Sequence, residues 1–155
     1  MKQRLIYVDT SVFGGCFDPE FAEDSTQFFR SVRSKKFIIL VSETTQAEIV
    51  SAPTRFQNVL RSLPSKSIVH ATVSEEIEGL AEAYISDGAL TDSSYNDALH
   101  VATASVYHAD LILSWNFRHL VNIDRIRQFN AVNLRKGYTI IDIRSPKELS
   151  YEEEV

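Results

Sequence analysis

Residues 91–117, TDSSYNDALHVATASVYHADLILSWNF, decide the fold class of this chain. Thr91-Asp92-Ser93-Ser94 is a run of helix-capping residues, after which Ala98, Val101, Ala102 and Ser105 recur at helical spacing. Neither Gly nor Pro interrupts the segment, and its small side chains let a helix lie close against a sheet. Asp110 to Ser114 then form a short apolar strand that stops at Trp115-Asn116. Asp97 falls in the first helical turn, where the helix dipole favours a negative charge. Taken singly it reads as a dipole-matching acid.

Working outward, the same alternation continues on both sides. Leu5 to Val8 is an apolar strand that ends in Asp9-Thr10-Ser11, with Gly14 and Gly15 expected to loosen a loop after it. Asp18-Pro19-Glu20 starts a helix with Pro at its first position and Phe21, Phe28, Phe29 and Val32 as its inner stripe. Phe37 to Val41 is a continuous apolar run, as expected of a parallel strand covered on both faces. Ser42 caps a helix, ETTQAEIVSA, that Pro53 closes, and Arg55 to Leu63 make another short helix.

Ser67 to His70 form a weak strand. Thr72 to Glu75 offer a capping box for a helix carrying Ile77, Leu80, Ala81, Tyr84 and Ile85, which Gly88 ends. Beyond Phe117 the chain is polar and partly helical, and Tyr138 to Ile143 form a last strand. Strands alternating with amphipathic helices predict an α/β fold: a mainly parallel central sheet with helices on both faces. The ligand crevice of such a sheet lies beyond the carboxyl ends of its strands.

At 155 residues the chain is read as one domain, 1–146, followed by an acidic tail, 147–155. The net charge is −5, but the last eight residues carry four glutamates and no base, so the remainder is nearly neutral. Bases cluster at Arg30, Arg33, Lys35 and Lys36 and again between Arg118 and Lys136, as phosphate contacts or as ordinary solvated surface. No apolar stretch approaches the roughly 20 residues of a membrane helix. The N-terminus enters a strand directly rather than forming a signal peptide. The single cysteine, Cys16, is read as a packed or half-exposed bystander and fits a reducing cytoplasm.

Four polar positions fall in comparable places. Asp9 ends the first strand, Glu48 lies one to two turns into the helix after the second, Asp97 opens the central helix, and Asn116 follows the next strand. Three carboxylates at one sheet edge repel one another unless a cation neutralises them. Hard oxygen ligands with no accompanying His or Cys suit Mg²⁺ or Mn²⁺. Such a metal activates water and stabilises charge on a phosphoryl group, which is nuclease chemistry. Each residue also has an ordinary explanation. Asp9 can simply close a turn, Glu48 can face solvent, and Asn116 can be a loop residue. His100, one turn beyond Asp97, is either a phosphate contact or a structural histidine.

The ordered set IYVDTSVF, SETTQAEI, NDALHVATA and ADLILSWNF resembles the PIN-domain ribonucleases, particularly the VapC-like toxins of prokaryotic toxin–antitoxin pairs. The resemblance spans nearly the whole chain and implies a single PIN-like domain. It implies that Asp9, Glu48 and Asp97 are metal-binding acids and that Thr10, Ser11 and Ser114 are hydroxyls on the substrate side; Arg118, by its place after the strand that bears this edge, is a further expected substrate contact. Asn116 departs from the pattern, since many members carry a fourth Asp there; Asn keeps an oxygen ligand and loses a charge. The implied activity is Mg²⁺- or Mn²⁺-dependent cleavage of RNA by a homodimer that a cognate antitoxin inhibits. A module that holds RNA or a partner without cutting is the alternative that Asn116 supports. An aspartyl-phosphate enzyme is more remote, because Ser11 stands two residues after Asp9, where a second Asp is expected.

Overall fold

Runs such as RLIYV and FIILVS have no polar face to give to water, so both sides of the strands must be covered. The computed structural model describes residues 3–149. Its strands are β1 (Arg4–Val8), β2 (Phe37–Ser42), β3 (Ile68–Ala71), β4 (Leu111–Leu113) and β5 (Ile143–Arg144), in the order 3-2-1-4-5. Every pairing is parallel. The helices are α1 (Thr10–Gly15), α2 (Ala22–Arg33), α3 (Glu43–Val50), α4 (Thr54–Arg61), α5 (Glu75–Ser86), α6 (Tyr95–Val106) and α7 (Ile123–Arg135).

Alternate strand residues supply two cores. Tyr7, Leu40 and Ile112 pack with residues of α5, α6 and α7 on one face. Ile6, Val8, Ile39, Val41 and Leu113 pack with residues of α1 to α4 on the other. The chain runs outward from β1 through β2 to β3, then returns to the opposite side of β1 with β4. The strand order therefore reverses between β1 and β4, and the crevice belongs beyond their carboxyl ends. Asp9 and Ser114 are the first residues past those two strands.

Local signals hold where the needed groups are close in sequence. Ser42 accepts from the Thr45 amide at 3.0 Å and caps α3. Gly88, at φ +82°, ends α5 with its own amide on Ile85 and that of Ala89 on Tyr84, the two bonds of a Schellman turn.

Four expectations are corrected. Residues after Asp9 form α1 rather than a loop. The helix expected at Asp18-Pro19 begins at Ala22, because the Asp18 carboxylate accepts the Glu20 amide and holds a turn there. The cap of α5 is Ser74, whose hydroxyl accepts from Ile77 at 3.2 Å; Thr72 is engaged by the Tyr107 hydroxyl instead. The last strand is only Ile143–Arg144. Asn130 and Asn133, side chains of α7, bind the backbone of Ile141 and Thr139 and hold that segment off the sheet ladder.

The polar stretch after Phe117 resolves into a turn and α7, capped by Asn122, which accepts from Asp124 and Arg125. Packing continues to Leu149, which is buried, and the remaining tail residues 150–155 lie outside the described residues. Among the described residues no helix is long and apolar enough to cross a membrane. Cys16 is half-buried, and burial pushes its thiol above the ordinary value.

Candidate active site

A cleft of about 560 Å³ opens at the strand-order reversal. Asp9, Glu48, Asp97 and Asn116 all line it, with Thr10 and Ser11. The three expected acids and Asn116 thus converge from four elements or their ends, none of them adjacent in sequence. Arg118 is exposed and does not line the cleft. Arg125, from the same basic segment, is committed elsewhere: it donates to the Ala89 carbonyl.

The hydroxyls hold the acids. Asp9 is 6% exposed, and its Oδ2 accepts from Ser11 at 2.7 Å and Ser114 at 2.8 Å. Ser11 in turn accepts the Trp115 amide, and Ser114 accepts that of Asn116, so the loop after β4 is tied to the first acid. Thr10 donates to Glu48 Oε1 at 2.9 Å. In this arrangement Thr10, Ser11 and Ser114 orient carboxylates rather than point free into the cleft.

His100 is the residue that the sequence undersold. It is fully buried, and its Nε2 lies 2.7 Å from Glu48 and 3.4 Å from Asp9. Ligand atoms of Asp9, Glu48 and His100 all fall within 4.8 Å of one another. The sequence pointed to oxygen ligands alone; the tightest group of candidate ligand atoms is Asp9–Glu48–His100, with Asp97 on the same cleft 3.5 Å from the Asn116 amide nitrogen. A signal did exist, since His100 is three residues from Asp97 and shares its helix face.

A hydrogen-bond chain orients the imidazole. Nδ1 meets the Tyr7 hydroxyl, Tyr7 lies 2.7 Å from Ser42 Oγ, Ser42 donates to Thr45, and Thr45 donates to the Val8 carbonyl. A carbonyl can only accept, so every hydroxyl in the chain points its proton toward Val8. Tyr7 must then accept, and Nδ1 carries hydrogen. The side of His100 that can exchange a proton or bind a cation is Nε2, facing the acids.

The charges follow this geometry. Burial alone would depress His100, but the Tyr7 oxygen, the Glu48 hydrogen bond and the two carboxylates hold it well above the usual imidazole value. Burial would raise Glu48; the His100 hydrogen bond and charge, with Thr10, hold it below the ordinary range. Burial raises the Asp97 carboxyl, His100 and His119 offset part of that, and the charges of Asp9 and Glu48 add to it. Burial beside two other carboxylates thus disfavours the ionised form of Asp97. That is the condition a divalent cation relieves.

Asn116 uses its carbonyl locally, accepting the His119 amide at 3.0 Å. Gly15 is a packing seat: a Cβ there would come within 2.5 Å of Ser25 Oγ and 2.6 Å of Trp115 Nε1. Those two atoms are hydrogen-bonded to each other at 2.8 Å. Gly15→Ala is therefore expected to cost about 2 kcal/mol by forcing this pair apart. Urea unfolding checks it, and an unchanged midpoint would mean that the wall yields freely.

Comparison with known proteins agrees with this architecture. The PIN domain family matches residues 6–125. The fold is similar to a toxin–antitoxin complex from Klebsiella pneumoniae at 16% identity, TM-score 0.59, over 93% of this chain and 99% of that one. It is similar to the sarcin–ricin-loop-cleaving toxin VapC20 of Mycobacterium tuberculosis at 13% identity, TM-score 0.58, over 74% and 92%. FitAcB from Neisseria gonorrhoeae gives 16% identity and TM-score 0.56, over 93% and 99%. No curated protein matches. With the family matched over most of its length and the acids gathered at the carboxyl edge of a parallel sheet, this chain belongs to the PIN domain family.

Proposed function

We propose that the protein is a Mg²⁺- or Mn²⁺-dependent endoribonuclease, the toxin of a toxin–antitoxin pair. The observation that carries this reading is the convergence of Asp9, Glu48 and Asp97 on one cleft in a PIN-domain chain. The donor set fits a hard divalent ion: carboxylate oxygens predominate, and Asp97 is held above its ordinary range first by burial and then by the charges of Asp9 and Glu48. Asp9, Glu48 and Asp97 would hold the metal, which supplies Lewis-acid stabilisation and an activated water when bound. Ser11 and Ser114 fix Asp9 through Oδ2, while its Oδ1 lies 3.4 Å from His100, and Thr10 fixes Glu48 through Oε1. His100 keeps the pair of acids in register from behind.

Similarity to a toxin–antitoxin complex supports a cognate antitoxin as inhibitor; a homodimer as the working state and a cytoplasmic location are parts of the same proposal. The test is cleavage of a labelled RNA with Mn²⁺ and with EDTA. Cutting that persists in EDTA would remove the metal from the mechanism. A second reading, an RNA-binding module with weak catalysis, is favoured by Asn116, whose carbonyl is already taken by His119.

Asn116→Asp separates these readings. The carboxylate can keep the His119 bond, but it exchanges an amide facing Asp97 for a like charge. Metal binding should tighten by an amount on the order of 1 kcal/mol, several-fold in affinity, while the metal-free protein melts lower. Calorimetric Mn²⁺ titration and thermal melting read the two effects. If neither changes, Asn116 lies outside the metal's reach.

A further inference from the structure

The cleft has aromatic walls that the acids do not use. Phe56 lies over Gly14, where a Cβ would come within 2.7 Å of the ring, and Trp115 lies over the next residue, Gly15. Adjacent glycines of α1 thus seat two separate rings. Phe17 stacks on Phe56 with centroids 5.9 Å and planes 17° apart, and Arg55 sits 5.2 Å above the Phe17 ring. On the other wall Phe21 stacks on Trp115 at 4.1 Å and 21°. Phe17 remains 42% exposed and Phe117, beside Trp115, 49% exposed. Large rings left in water around a cleft mark a binding surface.

The charges say what kind of ligand this surface can take. Among the described residues no Lys or Arg lines the cleft, while Asp9, Asp18, Glu48 and Asp97 do. Inside the cleft a nucleic-acid strand meets no Lys or Arg; the cation beside the aromatic wall is Arg55, over Phe17. Planar faces beside an acidic, metal-ready floor grip a strand in the other way available, by stacking on a base.

We propose that the Phe17–Phe56 pair and Phe21, backed by the buried Trp115, form a stacking subsite for an unpaired nucleobase beside the acid cluster. RNA is then held through a base more than through its phosphates, and the scissile bond is placed by that base. The inference rests on the nuclease reading given above for the substrate it names. It requires single-stranded RNA, because a paired base cannot offer a free face to a wall of the cleft.

The experiment uses full-length Asp97→Asn protein, so that the strand is not cut. A short unstructured RNA is compared with an abasic ribose-phosphate strand of the same length. Binding is read by anisotropy and by fluorescence of Trp115, the chain's single tryptophan. The RNA should bind at least about tenfold tighter than the abasic strand and quench Trp115, with a shallow dependence on salt. Adding Phe56→Leu should weaken RNA binding about tenfold and leave the abasic strand unaffected. Phe17→Leu, at an exposed position outside the two cores, should act in the same direction and less. Equal affinity for the two strands overturns the subsite. So does RNA affinity that ignores both phenylalanine variants, which would assign the rings to a protein contact. The nuclease reading fails separately. Base-dependent binding with no cleavage by the wild type in Mn²⁺ keeps the subsite and removes the activity, whereas cleavage with base-blind binding does the reverse.

Discussion

Asp97→Asn is expected to reduce RNA cleavage by about 100-fold or more while leaving the protein as stable as before, or more so. A metal carboxylate supplies several kcal/mol of transition-state stabilisation, and each 1.4 kcal/mol or so is a factor of ten in rate. The stability half follows from the sign of the shift. Asp97 is held above its ordinary carboxyl range, first by burial and then by Asp9 and Glu48 against the help of His100 and His119. A carboxyl raised in the fold contributes stability below its unfolded value and loses it as pH rises through the folded one. At neutral pH the ionised group is therefore a burden in the metal-free protein. Asn is a neutral near-isostere of the protonated form, so the burden goes. Cleavage assays paired with melting in EDTA measure both halves. Wild-type cleavage would remove Asp97 from the site; a sharply lower melting temperature would mean that its charge is structural.

His100→Ala is the variant expected to damage the fold itself. It removes both bonds of a fully buried imidazole, to Tyr7 on one side and Glu48 on the other, and leaves Asp9 without its cationic neighbour. Stranding a buried charge partner costs several kcal/mol; Glu48 is a third exposed, so about 3 kcal/mol is the expected loss, or roughly 10 °C in melting temperature. The effect should depend on pH. His100 is raised in the fold, so its contribution is fully present below the ordinary imidazole value of about 6.5 and fades as pH rises through its elevated one. Glu48 is lowered, so its contribution is present above its ordinary value of about 4.3 and is lost as pH falls through the depressed one. The pair is strongest between those two limits. Melting of metal-free wild type and variant across pH checks this. A gap as wide at about pH 10 as at about pH 5.5 would show that His100 stabilises by packing and hydrogen bonding alone.

Much of the architecture was legible from the order of residues because the forces involved are local. FIILV reads as a covered strand because five apolar residues in a row leave no face for water. Ser42 and Gly88 work through partners no more than five residues away, so their roles follow from spacing. Asp9, Glu48 and Asp97 could be placed at one edge because parallel strands share a direction and each acid stands at a comparable point along it.

Other features depended on groups far apart in the chain. The last strand shrank to two residues because Asn130 and Asn133 reach across from α7 for backbone that the apolar pattern had assigned to the sheet. His100 looked like an ordinary core histidine. What makes it the charge partner of the acids is Tyr7, 93 residues earlier, and beneath it the Val8 carbonyl that sets the direction of the whole hydrogen-bond chain. The same is true of Gly14 and Gly15, which read as a loop yet support the aromatic walls. Periodicity and capping reveal which face of an element is apolar and where it starts and stops. Which proton points at which acid, and which ring lies over which glycine, is decided only when distant elements pack, because those contacts leave no repeating trace along the chain.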